Sequence, residues 1–296
     1  MKKNWKIISI LLVLIIGIIA IGAYTFTGGN SGKQTLKIAT TTSLEDTGLL
    51  EELETVFEKK YPNIDVQFIA TGTGQALEYG KKGDVDLVMV HSKKQEEQFV
   101  TEGYGTQRYP FAYNYFYIVG PVNDPAKING TNATTAFKNI HIKGSANPNK
   151  VKFTSRGDNS GTNIREITLW NATGADYNTI IRNQTWYLES GKGMGDTLTI
   201  ADQKSAYSLS DSGTFLAFEG KIKLVPFVTQ GKELLNIYSL IPENPQKFPK
   251  VNKDAGMKWV DFILSSEGQG IVENYGKDKY GQQLFIPLSG KPEPNK

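Results

Sequence analysis

The segment "LKIATTTSLEDTGLLEELETVFEKKY" (residues 36–61) decides the fold class. It begins with a short apolar run, passes through a polar turn, and ends in a stretch with leucine, valine and phenylalanine at helical spacing. The same order recurs directly downstream, because the apolar runs "IDVQFIAT" (64–71) and "VDLVMV" (85–90) are each followed by an amphipathic stretch. Strands that alternate with helices predict parallel strands joined by crossover helices, which is an α/β fold.

Two later runs divide the chain into lobes. "YNYFYIVGP" (113–121) and "LLNIYSLIP" (234–242) are long, rich in aromatic and β-branched residues, and closed by proline. We interpret them as two crossings between lobes, so the prediction is a two-lobed fold with the ligand cleft between the lobes. Each lobe is expected to be a mostly parallel sheet flanked by helices. Lobe 1 comprises residues 36–117 and 234–296, and lobe 2 comprises residues 118–233.

The first 24 residues differ from the rest in composition. A basic start is followed by an unbroken apolar run at 7–24, which is typical of a signal peptide or an N-terminal membrane anchor (residues 1–24). Residues 25–35 are rich in small residues and predict a flexible linker. Both interpretations export the folded part to the cell surface or the periplasm, either free or tethered to the membrane by residues 7–24.

The overall composition restricts the function. The 296 residues carry a formal net charge of +3 without a long basic run, which argues against a nucleic-acid partner. The chain has no cysteine, which excludes disulfides, thiolate metal sites and a cysteine nucleophile. We expect a monomer without a cofactor.

The densest group of polar donors lies in "FTSRGDNSGTNIREITLW" (153–170), at a predicted strand–helix junction. The donors are the hydroxyls of Ser155, Ser160 and Thr162, the backbone N–H of Gly161 and the guanidinium of Arg156. Such groups at a helix N-terminus suit an anion, and the planar guanidinium suits an oxyanion in particular. Asp158 is expected to hold the guanidinium rather than touch the anion. The simpler interpretation is a capped helix with an Asp–Arg pair on its surface.

Three other junctions have a similar composition. "TTTS" (40–43) contains more hydroxyls than helix capping requires, while "ATGTGQALEYG" (70–80) and "ESGKGMGDTLTIADQ" (189–203) combine glycines with hydroxyls. In an open α/β sheet, ligands bind in a crevice at the carboxyl ends of the strands. Junctions on opposite lobes would therefore face each other around a small oxyanion.

A serine hydrolase is the alternative from a different class. "GDNSG" is similar to the nucleophile site of serine proteases, with Ser160 as the nucleophile, but the asparagine interrupts the usual spacing. The two histidines, His91 and His141, have no recognisable triad context. His91 ends an apolar strand, where it either lines a cleft or is satisfied within the fold.

Five segments together resemble the tungstate-binding proteins of tungstate ABC importers. They are "TTTS", "ATGTGQALEYGKKGDVDLVMVH", "SRGDNSGTNIRE", "WYLESGKGMGDTLTIA" and "SDSGTFLAF", in that order along the chain. The resemblance implies a type II periplasmic-binding-protein fold that closes on its ligand, with an ABC permease and an ATPase as partners. It implies capture without catalysis, and tungsten bound only as its oxyanion, with no separate metal site.

The resemblance also selects site residues. The implied oxyanion contacts are Thr41, Thr42, Ser43, Arg156 and Thr162. With the junctions described above, the predicted ligand-binding set is Thr41, Thr42, Ser43, Thr73, Arg156, Ser160, Gly161 and Thr162, supported by Asp158, Gly193 and Gly195. The chain departs from the family pattern at Asn163, where histidine is common, at Tyr115, where aspartate is common, and at Asp196, where a small residue is common.

Phosphate is the alternative ligand, since R-x-D-x-S-G-T at 156–162 is also similar to the motif of phosphate-binding proteins. Those proteins typically place a carboxylate after the third strand to accept the proton of hydrogen phosphate. This chain has His91 and Ser92 there, so a proton-free dianion fits better. Tungstate and molybdate differ too little in size to be separated by sequence, and the resemblance favours tungstate.

Overall fold

The structure, a computed structural model, describes residues 32–294. The predicted leader (1–24) and most of the predicted linker (25–35) lie outside the described residues. Within 32–294, no helix is long and apolar enough to cross a membrane. The chain divides after Gln34, and Thr35–Lys296 form one compact unit.

Strands and helices alternate along the chain, as the sequence predicts. The strands are β1 (Gln34–Thr41), β2 (Ile64–Thr71), β3 (Leu87–Val90), β4 (Tyr109–Gly120), β5 (Phe153–Ser155), β6 (Tyr187–Glu189), β7 (Ser208–Asp211), β8 (Val225–Val228), β9 (Leu235–Pro242) and β10 (Ile286–Pro287). The α-helices are α1 (Thr42–Glu45), α2 (Leu49–Lys60), α3 (Thr73–Lys82), α4 (Lys93–Thr101), α5 (Ala133–Ala146), α6 (Gly161–Ala172), α7 (Met194–Lys204), α8 (Ser212–Phe218), α9 (Lys253–Leu264), α10 (Ser266–Asn274) and α11 (Lys277–Tyr280). A π-helical turn spans Tyr177–Ile181, and a 3₁₀ turn spans Lys232–Leu234.

The main sheet has the strand order β10-β4-β9-β3-β1-β2. β1 and β3 are parallel, with Ile38 opposite Leu87, and β5 and β6 form a second parallel pair. β9 lies antiparallel to both β3 and β4. The predicted α/β fold is therefore confirmed, and each antiparallel pair of the described strands involves β4 or β9, the two proline-closed runs.

β4 connects two parts of the sheet. Its first half pairs with β9, where Tyr113 lies opposite Ile237. Its second half pairs with β7 and β8, where Tyr117 lies opposite Ser210 and Gly120 lies opposite Val225. A strand that changes partners along its length is what a crossing between lobes requires. The residue limits of the two lobes stay a prediction.

Two large groups of buried side chains form the main cores. The first includes Leu36, Ile38, Leu53, Phe57, Trp259 and Phe262. The second includes Phe116, Ile118, Phe137, Phe153, Trp170, Trp186 and Tyr207. Met194 and Leu198 of α7 and Phe215 of α8 belong to the first core, although their sequence positions fall within the predicted lobe 2. The two helices therefore pack apolar side chains against lobe 1.

Helix N-termini follow the ends of strands at the predicted junctions. α1 starts directly after β1, and its N-cap residue, Thr41, makes no side-chain cap hydrogen bond. α3, which follows β2, also has no side-chain cap. By contrast, Ser160 caps α6 because its Oγ accepts the backbone N–H of Asn163 at 3.2 Å. Capping thus accounts for Ser160 but not for the hydroxyls at the start of α1.

Candidate oxyanion-binding site

Arg156 lies just past the end of β5 and is 2% exposed. Its Nε and Nη2 donate to Oδ2 of Asp158 at 3.1 and 2.6 Å. Nη2 also donates to the Thr42 hydroxyl, 3.3 Å away, across the two predicted lobes. Nη1 is buried and has no hydrogen-bond partner among the described residues. The guanidinium is thus held on one side by Asp158 and keeps one nitrogen for another acceptor.

Two hydroxyls share this unusual state. The Oγ1 atoms of Thr73 and Thr162 are buried and have no partner in the described part of the chain. Other buried atoms without a partner include Oγ1 of Thr154, within β5, and atoms of more distant residues such as Glu243 and Trp259. Thr73, Thr162 and Arg156 are distinguished by their positions, because each lies at a strand–helix junction that the sequence marks as polar. A buried donor without an acceptor costs free energy, so such groups are rare in proteins.

Glycines bring these junctions together. A Cβ on Gly72 would lie 3.3 Å from Cβ of Ser160, and Gly74 donates its backbone N–H to the carbonyl of Asn159 at 3.3 Å. Thr73, between these two glycines, is therefore adjacent to the turn that leads into α6. On the other side of that turn, a Cβ on Gly161 would lie 2.9 Å from the His91 ring. A Cβ on Gly74 would lie 2.9 Å from the Asn159 carbonyl oxygen, so the closest contacts, at Gly74 and Gly161, favour residues without a side chain.

The three polar residues at the start of α1 have different partners. Thr42 accepts from Arg156, as described above. The Thr41 and Ser43 hydroxyls lie 3.2 Å apart, and Ser43 Oγ lies 3.1 Å from Nε2 of His91. Thr41 and Ser43 are buried. Of this group, Thr42 is the residue in direct contact with Arg156, whereas Thr41 and Ser43 already have partners within lobe 1.

His91 is buried and hydrogen-bonded at both ring nitrogens. Its Nδ1 lies 2.9 Å from Oδ1 of Asn236, on β9. Burial lowers the pKa of His91 to about 4, so the ring is neutral at physiological pH. The sequence left His91 between two interpretations, and it combines both, because it is satisfied and also contacts Gly161. Asn236 was not predicted; an asparagine within an apolar strand was the available signal.

Gly193, just before α7, and Gly195, within it, lie close to α1. Gly195 donates its backbone N–H to Oδ2 of Asp46 at 3.2 Å, and a Cβ on Gly193 would lie 3.4 Å from the Thr42 hydroxyl. Burial raises the pKa of Asp46 above its ordinary value. Asp196, one of the departures from the family pattern, is exposed. The Asp46 carboxylate, at the C-terminal end of α1, thus accepts one of the backbone N–H groups that have no partner within the first turn of α7.

The segment that carries Arg156 is supported from behind by a buried polar group. Ser155 donates to Glu166 and accepts the backbone N–H of Gly157 and a side-chain N–H of Asn163. Trp170 Nε1 also donates to Glu166, at 2.9 Å. Burial raises the pKa of Glu166 to about 7. Asn163, where the family commonly has histidine, therefore supports the loop through a hydrogen bond. Tyr115, where aspartate is common, is a half-buried residue of β4.

The comparisons with known proteins identify the family. The family model described as a PBP superfamily domain matches residues 26–267. The tungstate-binding protein TupA of Peptoclostridium acidaminophilum is 38% identical over 298 residues, which cover 98% of this chain and 100% of that protein. Among solved structures, the tungstate ABC transporter protein from Geobacter sulfurreducens is 44% identical with a TM-score of 0.71, covering 82% of this chain and 100% of that chain. TupA from Desulfovibrio alaskensis G20 is 37% identical with a TM-score of 0.70, covering 86% of this chain and 99% of that chain. The chain therefore belongs to the PBP superfamily and, within it, to the family of TupA-like tungstate-binding proteins.

Proposed function

We propose that this protein is an exported solute-binding protein that captures tungstate and delivers it to an ABC importer. The observation that supports this most is the set of three buried donors without a partner: Arg156 Nη1, Thr73 Oγ1 and Thr162 Oγ1. They come from junctions of both predicted lobes. A tetrahedral oxyanion accepts several N–H and O–H groups at once, and closure of the lobes would satisfy all three donors.

The donor set favours an oxyanion that carries no proton. A guanidinium has no acceptor atom. The carboxylate paired with Arg156, that of Asp158, is already engaged, because Oδ2 accepts from Arg156 and Oδ1 accepts the backbone N–H of Ser160. Asp158 therefore has no free oxygen to accept the proton that hydrogen phosphate would bring. Tungstate and molybdate meet the requirement equally, and the tungstate-binding relatives favour tungstate; phosphate is the alternative ligand.

Binding without catalysis is part of the same proposal. Ser160 Oγ accepts the N–H of Asn163, and within residues 32–294 neither a histidine nor a carboxylate is hydrogen-bonded to it. A hydroxyl without an adjacent base is a poor nucleophile, which argues against a hydrolase that uses Ser160. We retain the permease and the ATPase as partners, and a monomer exported by the apolar N-terminal segment.

Thermal unfolding of the purified protein with tungstate, molybdate, phosphate and sulfate in turn tests this proposal. A ligand at a hundred times its Kd stabilises the folded state by about 2.7 kcal/mol, which raises Tm by several degrees. We expect tungstate and molybdate to raise Tm at micromolar concentrations at which phosphate and sulfate have no effect. A shift with phosphate alone would support the alternative ligand. No shift with any of the four would contradict the receptor function.

Closure of the lobes around the ligand gives a prediction for Gly161. In Gly161→Ala, the new Cβ would lie 2.9 Å from the His91 ring and 3.1 Å from the His91 carbonyl oxygen, so the two segments must separate. We expect tungstate affinity, measured by calorimetric titration, to fall by about tenfold because of this overpacking.

Gly270→Ala is the matched control, since Gly270 lies within α10 and its Cβ would have no neighbour within 4 Å. Its affinity should equal that of the wild type, and its stability should rise slightly because alanine favours the helix. Wild-type affinity in Gly161→Ala would show that the two segments do not meet in the bound protein.

A further inference from the structure

A chain of buried hydrogen bonds leads from Ser43 into the interior. His91 lies between Ser43 Oγ, at 3.1 Å, and Asn236 Oδ1, at 2.9 Å. The Asn236 amide then contacts Oδ1 of Asn114 at 2.9 Å and the hydroxyl of Tyr238 at 3.0 Å. All five residues are buried. The polar atoms of this hydrogen-bonded series are therefore shielded from bulk water.

Two arrangements of protons are compatible with these distances, because a half-turn of an amide exchanges its oxygen and nitrogen. In the first, His91 Nδ1–H donates to Asn236, Asn236 donates to Asn114, and Nδ2 of Asn114 is left buried without an acceptor. In the second, both amides are turned, so Nδ2 of Asn114 donates to Asn236, and Asn236 donates to Nδ1 of His91. A buried N–H without an acceptor is rarer than a carbonyl with an unused lone pair, which favours the second arrangement.

The second arrangement determines the tautomer of His91. If Nδ1 accepts from Asn236, the ring proton of neutral His91 must be on Nε2. Nε2–H then donates to Ser43 Oγ, and the Ser43 hydroxyl keeps its own hydrogen. Ser43 lies directly after Thr42, which contacts Arg156, and its partner His91 contacts Gly161 of lobe 2. The Ser43 hydroxyl also lies 3.2 Å from Thr41 Oγ1, so in this arrangement its hydrogen can be donated to Thr41 or to a ligand rather than to His91.

We infer that His91 is a positioning residue whose Nε2–H tautomer makes the Ser43 hydroxyl a hydrogen-bond donor to the bound oxyanion. The inference rests on the proposed function. It also accounts for selectivity, since a Ser43 lone pair turned toward the cleft would accept the proton of hydrogen phosphate. A Ser43 hydrogen in the same place repels that proton and suits a dianion without one.

The charges around His91 keep the ring neutral. Arg156 and Arg165 face it and disfavour a second proton, while Asp158 favours one; burial outweighs all three and keeps the pKa at about 4. The tautomer is therefore expected to persist from pH 8 to pH 5. Over this range His91 should contribute no pH dependence to tungstate binding.

Nitrogen NMR on ¹⁵N-histidine-labelled protein reads the tautomer directly. The chain has two histidines, so the His141→Gln variant leaves the His91 signals alone. We expect the Nε2–H tautomer with tungstate bound, unchanged between pH 8 and pH 5. The Nδ1–H tautomer, or an imidazolium at pH 6, would overturn the inference. The spectrum without tungstate is interpretable whether or not the protein binds it, so failure of the proposed function is a separate result, read from the wild-type titration.

Two substitutions separate positioning from mere packing. His91→Leu removes both ring nitrogens and should weaken tungstate binding by about tenfold while reducing the preference for tungstate over phosphate. His91→Gln keeps an N–H donor and should recover part of both losses. Equal losses in the two variants, or wild-type affinity in His91→Leu, would contradict the role assigned to His91.

Discussion

Arg156→Ala should weaken tungstate binding by roughly 10- to 150-fold, which corresponds to about 1.5–3 kcal/mol. The substitution removes the buried nitrogen without a partner and the positive charge of the site. It also leaves Asp158 without the guanidinium that it holds, so a negative charge remains beside the oxyanion. Arg156→Lys should give an intermediate loss, because lysine keeps the charge but not the planar pair of donors. Calorimetric titration measures both.

Arg182→Ala is the control for this experiment. Arg182 is also paired with a carboxylate, Glu189, but its side chain is 55% exposed. Removing it should leave tungstate affinity unchanged. Because Arg156→Ala breaks a buried ion pair, its unfolding should be measured without ligand to separate lost binding from lost folding. Unchanged tungstate affinity in Arg156→Ala would remove this residue from the site.

Replacing the two unpartnered hydroxyls should separate affinity from stability. We expect Thr73→Val and Thr162→Val each to weaken tungstate binding by about tenfold, the effect of losing a hydrogen bond to a charged group. Neither substitution should lower the stability of the ligand-free protein, since neither Oγ1 has a partner to lose and valine has a similar shape. Binding and unfolding measured on the same samples should show weaker tungstate binding without a loss of stability.

Thr154→Val is the matched control for the hydroxyl variants. Thr154 is also buried, and its Oγ1 also lacks a partner, but it lies within β5 rather than at a helix start. The stability of Thr154→Val, like that of Thr162→Val, should not fall. The tungstate affinity of Thr154→Val should equal that of the wild type. Equal affinities for Thr154→Val and Thr162→Val would mean that the Thr162 hydroxyl is not a ligand contact.

The features of the protein that could be predicted from its sequence are those set by residues close together in the chain. The alternation in residues 36–90 predicts the α/β fold because side-chain periodicity distinguishes strands from helices. The pairing of Arg156 with Asp158 is similarly local, since the two residues are separated by one position. A helix start near Ser160 was also predicted locally, whereas the capping role of Ser160 comes from the structure.

Partners far apart in the chain were beyond such reasoning. Ser43 meets a histidine 48 positions away, and that histidine meets Asn236, 145 positions further on. Gly195 was predicted as a support, but its partner Asp46 is 149 positions away. The packing of α7 and α8 against the first core has the same origin, because it depends on how the crossings fold back. Only the tertiary structure determines these distances.

Anomalous diffraction at a tungsten absorption edge, from crystals grown with tungstate, would locate the bound anion relative to the three unpartnered donors. We expect one strong tungsten peak between the lobes, with its oxygens about 2.7–3.0 Å from Arg156 Nη1, Thr73 Oγ1 and Thr162 Oγ1. A peak held by other residues, with these three donors still unpartnered, would show that the oxyanion site lies elsewhere.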